Sequence, residues 1–263
     1  MSELLFLAWR RLSTREWTCL GAIGLALCVW TVMPGSAQDP RYHNFADQRH
    51  WLGIDRSADV LSNAGFVLIG LLAVVRLVST VRERLSRASE AGLWCVALGF
   101  VGTGAGSAWY HLDPSDSSLV WDRLPMTVVF AGILGTALAQ RVGEDVARFA
   151  LALLLELGVA SVFYWHVTGD LSLYLMLQFG GIAALVLLVL STRRGEDPFP
   201  WWWLIGWYAL AKVLEAGDVT IWRMTHGLVA GHALKHLAAT AAGAMFLMPL
   251  LIQSNAVRRS RVE

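Results

Sequence analysis

GLWCVALGFVGTGAGSAWYH, residues 92–111, runs the length of a bilayer crossing without one Asp, Glu, Lys or Arg and ends on a histidine. A hydrocarbon core about 30 Å thick needs roughly 20 apolar residues per helical crossing. Working outward, comparable apolar stretches fall at 17–33, 59–78, 119–140, 147–166, 173–192, 201–221 and 229–253, separated by short charged connectors. The 263 residues are 56% hydrophobic and 16% charged, with a mean hydropathy of +0.52, which is the composition of a membrane protein. No period-2 alternation marks a membrane barrel, so the backbone must satisfy its own hydrogen bonds in helices. The expected fold is all-α: a polytopic transmembrane bundle with a seven-helix core and one extra N-terminal hydrophobic helix.

Connector charge orients such a bundle, because short basic loops stay cytoplasmic. Arg10, Arg11 and Arg15 precede the first stretch, and Arg82, Arg84 and Arg87 follow the second. Arg141 and Arg148, then Arg193 and Arg194, then Arg258, Arg259 and Arg261 mark every second connector after that. The alternate connectors are poorer in net positive charge, and 112–118 carries Asp113 and Asp116 with no Lys or Arg. Both termini are therefore expected in the cytoplasm. Residues 1–37 read as an anchor helix or as a signal peptide cut after Ala37 in PGSAQ, 38–254 as the seven-helix domain, and 255–263 as a basic cytoplasmic tail. Cys19, Cys28 and Cys95 lie inside apolar stretches, where they act as small hydrophobes. Basic patches with interleaved aromatics on a soluble surface are missing, so no nucleic-acid partner is expected.

Polar residues then cluster by depth. His111 closes the third stretch, Asp122 opens the fourth, and His232 and His236 open the eighth, all on the side expected to be extracytoplasmic. Ser107 and His111 share one helical face, and so do His232 and His236. Three imidazoles from two helices suit a catalytic zinc, which commonly takes three protein ligands and leaves a fourth position to water. Zinc lowers the pKa of that water, Asp122 is placed to act as general base and then acid, and Ser107 to stabilise the developing oxyanion. Each residue also has a structural reading: a histidine bonding between helices, a serine bonding back to its own helix, an aspartate pairing with Arg123 or capping a helix start.

The motifs SAWYHL, LVWDRLPM and GHALKHLAA together resemble the alkaline ceramidase family of the CREST group of seven-helix membrane hydrolases, over roughly residues 42–251. The resemblance implies zinc on His111, His232 and His236, with Ser107 and Asp122 beside the metal, and hydrolysis of ceramide or a related N-acylated lipid. Eukaryotic members also hold a regulatory calcium on an acidic, tryptophan-containing N-terminal segment and a helix-start glutamate. Here that segment reads YHNFADQR and Arg56 takes the place of the glutamate, which argues against calcium. Asp47, Asp55 and Asp59 are then hydrated loop carboxylates and a helix cap, with an oxygen-rich cation site as the weaker alternative.

Two other classes fit parts of the pattern: a seven-helix lipid receptor with a structural zinc, and a b-type cytochrome with haem held by His111 and a histidine of the last helix. Lys212 and Glu215 are expected to pair within the membrane, and Asp218 to sit in interfacial solvent or behind a ligand histidine. Trp201, Trp202, Trp203 and Trp207 at one boundary, with Trp51, Trp109, Trp121 and Trp222 at the other, read as aromatic belts. GTGAGS, without a preceding strand, reads as small residues for close helix packing.

Overall fold

A computed structural model of the chain describes residues 17, 21, 24–25, 28–30, 32, 34–79, 85–190 and 198–252. The described residues are helical and contain no named strand. Six helices are long and apolar enough to cross a membrane, which makes this an integral membrane protein. They include α1 (Ser57–Ser79), α2 (Arg87–Leu112), α3 (Asp116–Arg141), α4 (Glu144–Thr168) and α5 (Ser172–Leu190). The expected crossing over 201–221 is instead α6 (Trp201–Ala216) and α7 (Asp218–Met224), divided at Gly217, and the last helix is α8 (Gly231–Ile252). At 1.5 Å per residue α6 alone is about 24 Å long, short of a full hydrocarbon core. The expected first crossing, over 17–33, lies largely outside the described residues, as do the tail at 255–263 and the basic connectors at 82–84 and 193–194. Trp30, which is described and helical, donates from its indole Nε1 to the Ser172 hydroxyl at 2.9 Å.

Helix ends follow local chemistry. Ser86 caps α2 by accepting from the Ser89 amide, and Ser115 with Ser118 forms a capping box on α3. Gly169, at φ 74°, ends α4 in the left-handed conformation that glycine adopts without steric cost. Two caps come from far along the chain. Arg56 donates to the carbonyls of His111 and Leu112, both at 2.7 Å, placing a cation on the negative end of α2. Asp218 accepts from the His232 amide at 2.8 Å and from the Ala46 amide at 2.9 Å, tying the start of α8 to the loop before α1.

The helices form a ring: α1 packs on α2, α2 most extensively on α3, α3 on α5, α6 on α8, and α8 back on α1, with α4 outside α3. Glycines decide how close α2 comes. A Cβ on Gly106 would sit 1.9 Å from the Trp121 carbonyl oxygen, and one on Gly104 would sit 2.9 Å from the Asn63 carbonyl oxygen. GTGAGS is thus a packing surface toward both neighbours. Phe66, Leu93, Phe100, Phe246 and Leu247 belong to the larger core, while Phe45, Tyr110, Leu119, Trp165 and Tyr174 belong to a smaller one at the other end. Trp201 departs from the expected belt: it is buried against Phe199 and Phe246, whereas Trp202 and Trp203 remain exposed. Trp51, Trp109 and Trp121 are exposed as expected.

Candidate metal centre

His111 occupies the last turn of α2, and His232 and His236 the first turns of α8, where i and i+4 positions face the same way. The ring centroids lie 4.9 Å apart for His111 and His232, 5.1 Å for His111 and His236, and 4.9 Å for His232 and His236. All three residues are buried, and each offers a nitrogen within 4.8 Å of the others. Among the described residues this is the one His, Cys, Asp or Glu cluster with that geometry.

Hydrogen bonding supports a metal-binding role. Neither ring nitrogen of His111 has a partner, and neither does His232 Nε2. Buried polar atoms are seldom left unpaired, because each unmade bond costs about 1–3 kcal/mol. A divalent cation would take one lone pair from each ring. His236 Nδ1 meets the Ser62 hydroxyl at 2.8 Å, which orients the ring and leaves Nε2 for a metal, as hydrogen-bonded outer partners of ligand histidines do. Ser62 and Asn63 form a turn inside α1. Phe45 is a site residue that the sequence pattern did not place, with its ring centroid 4.6 Å from that of His111 and 4.5 Å from that of His232.

The other two expected site residues are brought together by packing. The Gly106–Trp121 approach sets Ser107 beside Asp122, and the two side chains interact. Both are buried, and with His236 they line a cavity of about 370 Å³ enclosed by α2, α3, α5, α6 and α8. His111 and His232 do not line it. The cavity wall continues through Phe130, Ile133, Leu204 and Gly243. Along α5 the wall includes a π-helical turn, Met176–Gly180, from which Gln178 donates to the Tyr208 hydroxyl at 2.8 Å.

Several charged groups resolve differently from the simplest expectation. Asp122 does not pair with Arg123, whose Nη2 donates to Gln38 Oε1 at 2.6 Å. Lys212 pairs with Glu215 at 2.6 Å as expected, and Lys235, lying between the two α8 histidines, adds a second bond to Glu215 at 3.0 Å. Asp218 touches the His232 amide, not its ring. Asp47 pairs with Arg49 and Asp55 with His50, and neither joins Asp59 in a metal-binding cluster among the described residues. Burial pushes the Asp47 carboxyl up, but its hydrogen bonds to Arg49 outweigh this and hold it below the usual carboxylate range. Asp59 does not form the expected helix cap: it is 0% exposed, and neither carboxylate oxygen has a hydrogen-bond partner. No family model, curated protein or solved structure matches the chain.

Proposed function

We propose that this protein is a zinc-dependent hydrolase of lipid amides, of the alkaline ceramidase type, acting on ceramide or another N-acylated lipid from the extracytoplasmic side. The observation that carries the reading is the cluster of three buried imidazoles, one of which, His236, lines a largely apolar cavity together with an interacting Ser107–Asp122 pair. Neutral imidazoles suit zinc, and zinc when bound supplies a Lewis acid and lowers the pKa of a water.

The chain's own groups then divide the work. Asp122 takes a proton from the attacking water and returns it to the departing nitrogen, as the amide C–N bond breaks and the water oxygen joins the carbonyl carbon. Products are a fatty acid and an amine, so atoms and protons balance. Ser107, on the same wall, donates a hydrogen bond to the carbonyl oxygen as it gains charge. The aromatic and aliphatic lining excludes water and accepts an acyl chain, which would give a water-soluble substrate little binding energy. Support for the orientation comes from charge: the cluster lies at the end of α2, α3 and α8 opposite Arg87, Arg141 and Arg148. A bis-histidine haem is disfavoured, because imidazoles crowded to 4.9 and 5.1 Å between centroids leave no plane for a porphyrin.

Metal analysis with a lipid-hydrolysis assay tests this. The purified protein should carry one zinc per chain and release fatty acid, and His232→Ala should lose both. Asp122→Asn should keep the metal and slow by roughly 10²–10⁴-fold. Intact zinc with no turnover on any lipid amide would favour the receptor class instead. Unchanged hydrolysis in His232→Ala would reject the assignment.

A further inference from the structure

The cavity lining carries three cations, Lys212, Lys235 and Arg123, and three carboxylates, Asp39, Asp122 and Glu215, but they are paired unevenly. Glu215 serves two cations at once, Lys212 on one oxygen and Lys235 on the other. Asp39 pairs with Arg41 at 3.1 Å, and Asp122 bonds to Ser107. Arg123 makes no direct ion pair with a carboxylate among the described residues. Only 4% exposed, it lines the cavity, gives one bond to the neutral amide of Gln38, and has no acceptor for Nη1. Its guanidinium carbon lies 4.1 Å from the ring centroid of Trp165, 5.0 Å from that of Tyr174 and 5.6 Å from that of Tyr42. Aromatic faces stabilise the cation and fix its plane but accept no N–H in its plane. The Tyr42 phenol, pushed up to about 12 by burial, stays neutral and supplies no counter-charge.

A buried, plane-fixed guanidinium with a free N–H is the standard means of binding a carboxylate or phosphate. We propose that Arg123 binds an anionic group on the amine side of the lipid amide, so that the preferred substrates are N-acylated amines with a carboxylate or phosphate near the amide nitrogen. This rests on the hydrolase reading and narrows it, because ceramide itself is neutral. Arg123 and Asp122 line the same cavity, so the anion and the scissile carbonyl would be held in one pocket, as the head of an N-acyl amino acid allows.

Binding can be separated from turnover. The full-length His232→Ala protein in detergent would be titrated with N-oleoylglycine, N-oleoylethanolamine and its phosphate ester, following tryptophan fluorescence. The anionic amides should bind about 10-fold or more tightly than the neutral one, in line with a charge-assisted bidentate contact. The glycine and phosphate arms show which anion is taken. Adding Arg123→Gln should bring the charged and neutral affinities within about two-fold, and Arg123→Lys should keep part of the preference. Equal affinities for charged and neutral amides with Arg123 in place would overturn the proposal even if hydrolysis is real, and this comparison needs no folded position-123 variant. Tight, Arg123-dependent binding of the anionic amides by a protein that hydrolyses none of them would uphold this proposal and sink the hydrolase reading. In active wild type the anion should act through KM.

Discussion

Buried polar groups at the two ends of the bundle are treated differently. Away from the loop that precedes α1, most have partners: Thr136 donates to the Gly132 carbonyl, Gln140 to the Ser89 hydroxyl, and Glu144 accepts from the Ala88 amide on Oε1, with only its Oε2 bare. Phe199, Trp201 and Phe246 pack ring on ring around them. At the other end His111, His232, Asp59, Asn63 and Arg123 all bury polar atoms that have no partner. A fold that gathers most of its bare buried polar atoms at one end has kept that end for something that binds. Apolar packing must then hold that end together, and it does so through the glycine contacts of α2 and the rings of Phe45, Tyr110 and Trp165.

Wedging α2 from α3 should have the largest effect. Gly106→Val places carbon where the Trp121 carbonyl oxygen already lies, within 1.9 Å of the first added atom. We predict a loss of about 3 kcal/mol or more by overpacking, read as a drop of roughly 5–10 °C in the midpoint in detergent. Gly206→Ala is the control: nothing lies within 4 Å of the added carbon, and helix propensity favours alanine by up to about 1 kcal/mol. If the two variants melt alike, close approach is not what sets Ser107 beside Asp122.

A smaller effect belongs to the metal end alone. Ser62→Ala removes the hydroxyl that orients His236, and we expect zinc affinity to fall by about 10–100-fold in a chelator competition while the fold is retained. Affinity equal to wild type would mean that the ring is positioned by packing and that Ser62 is incidental.

How much of this was legible in the sequence follows from what periodicity encodes. Hydropathy located the six crossings found among the described residues, since each is a property of its own stretch, and i, i+4 spacing brought His232 and His236 into one cluster. Periodicity names the face of a helix but not the helix opposite. The contacts of Ser62 with His236, Phe45 with two imidazoles, Lys235 with Glu215 and Arg123 with Gln38 all join distant segments, and no local pattern announces them. Arg123 is the clearest case. Beside Asp122 in the sequence it reads as that residue's ion partner, yet successive helical residues point about 100° apart, and it turns toward Gln38 and the rings. The division at Gly217 fell inside a stretch read as one crossing although Lys212, Glu215 and Asp218 interrupt it, and Trp201 was misread because composition cannot tell a boundary tryptophan from one turned inward.

The smallest expected effect tests what holds the mouth of the cavity. Asp170 accepts from the Ser172 amide at 2.9 Å and the Ser36 amide at 2.8 Å, and the Leu171 amide bonds to the Ser36 carbonyl at 2.7 Å. These bonds pin residues 36–39 over the site, and with them Gln38, the partner of Arg123. The Ser172 and Ser36 amides hold the exposed Asp170 carboxyl below its usual range. A carboxylate whose folded pKa is depressed stabilises the fold above its unfolded value of about 3.9, and that contribution is lost as pH falls through the lower folded value. Asp170→Asn should therefore lower the melting midpoint slightly at pH 7, by no more than about 2 °C, and the gap should narrow as pH falls below the unfolded value. A gap that persists undiminished into acid would assign the effect to lost shape and not lost charge. If Asp170→Asn also weakens N-oleoylglycine binding more than N-oleoylethanolamine binding, the clasp on Ser36 helps to set Arg123 through Gln38, and the exposed rim and the buried orphans act as one unit.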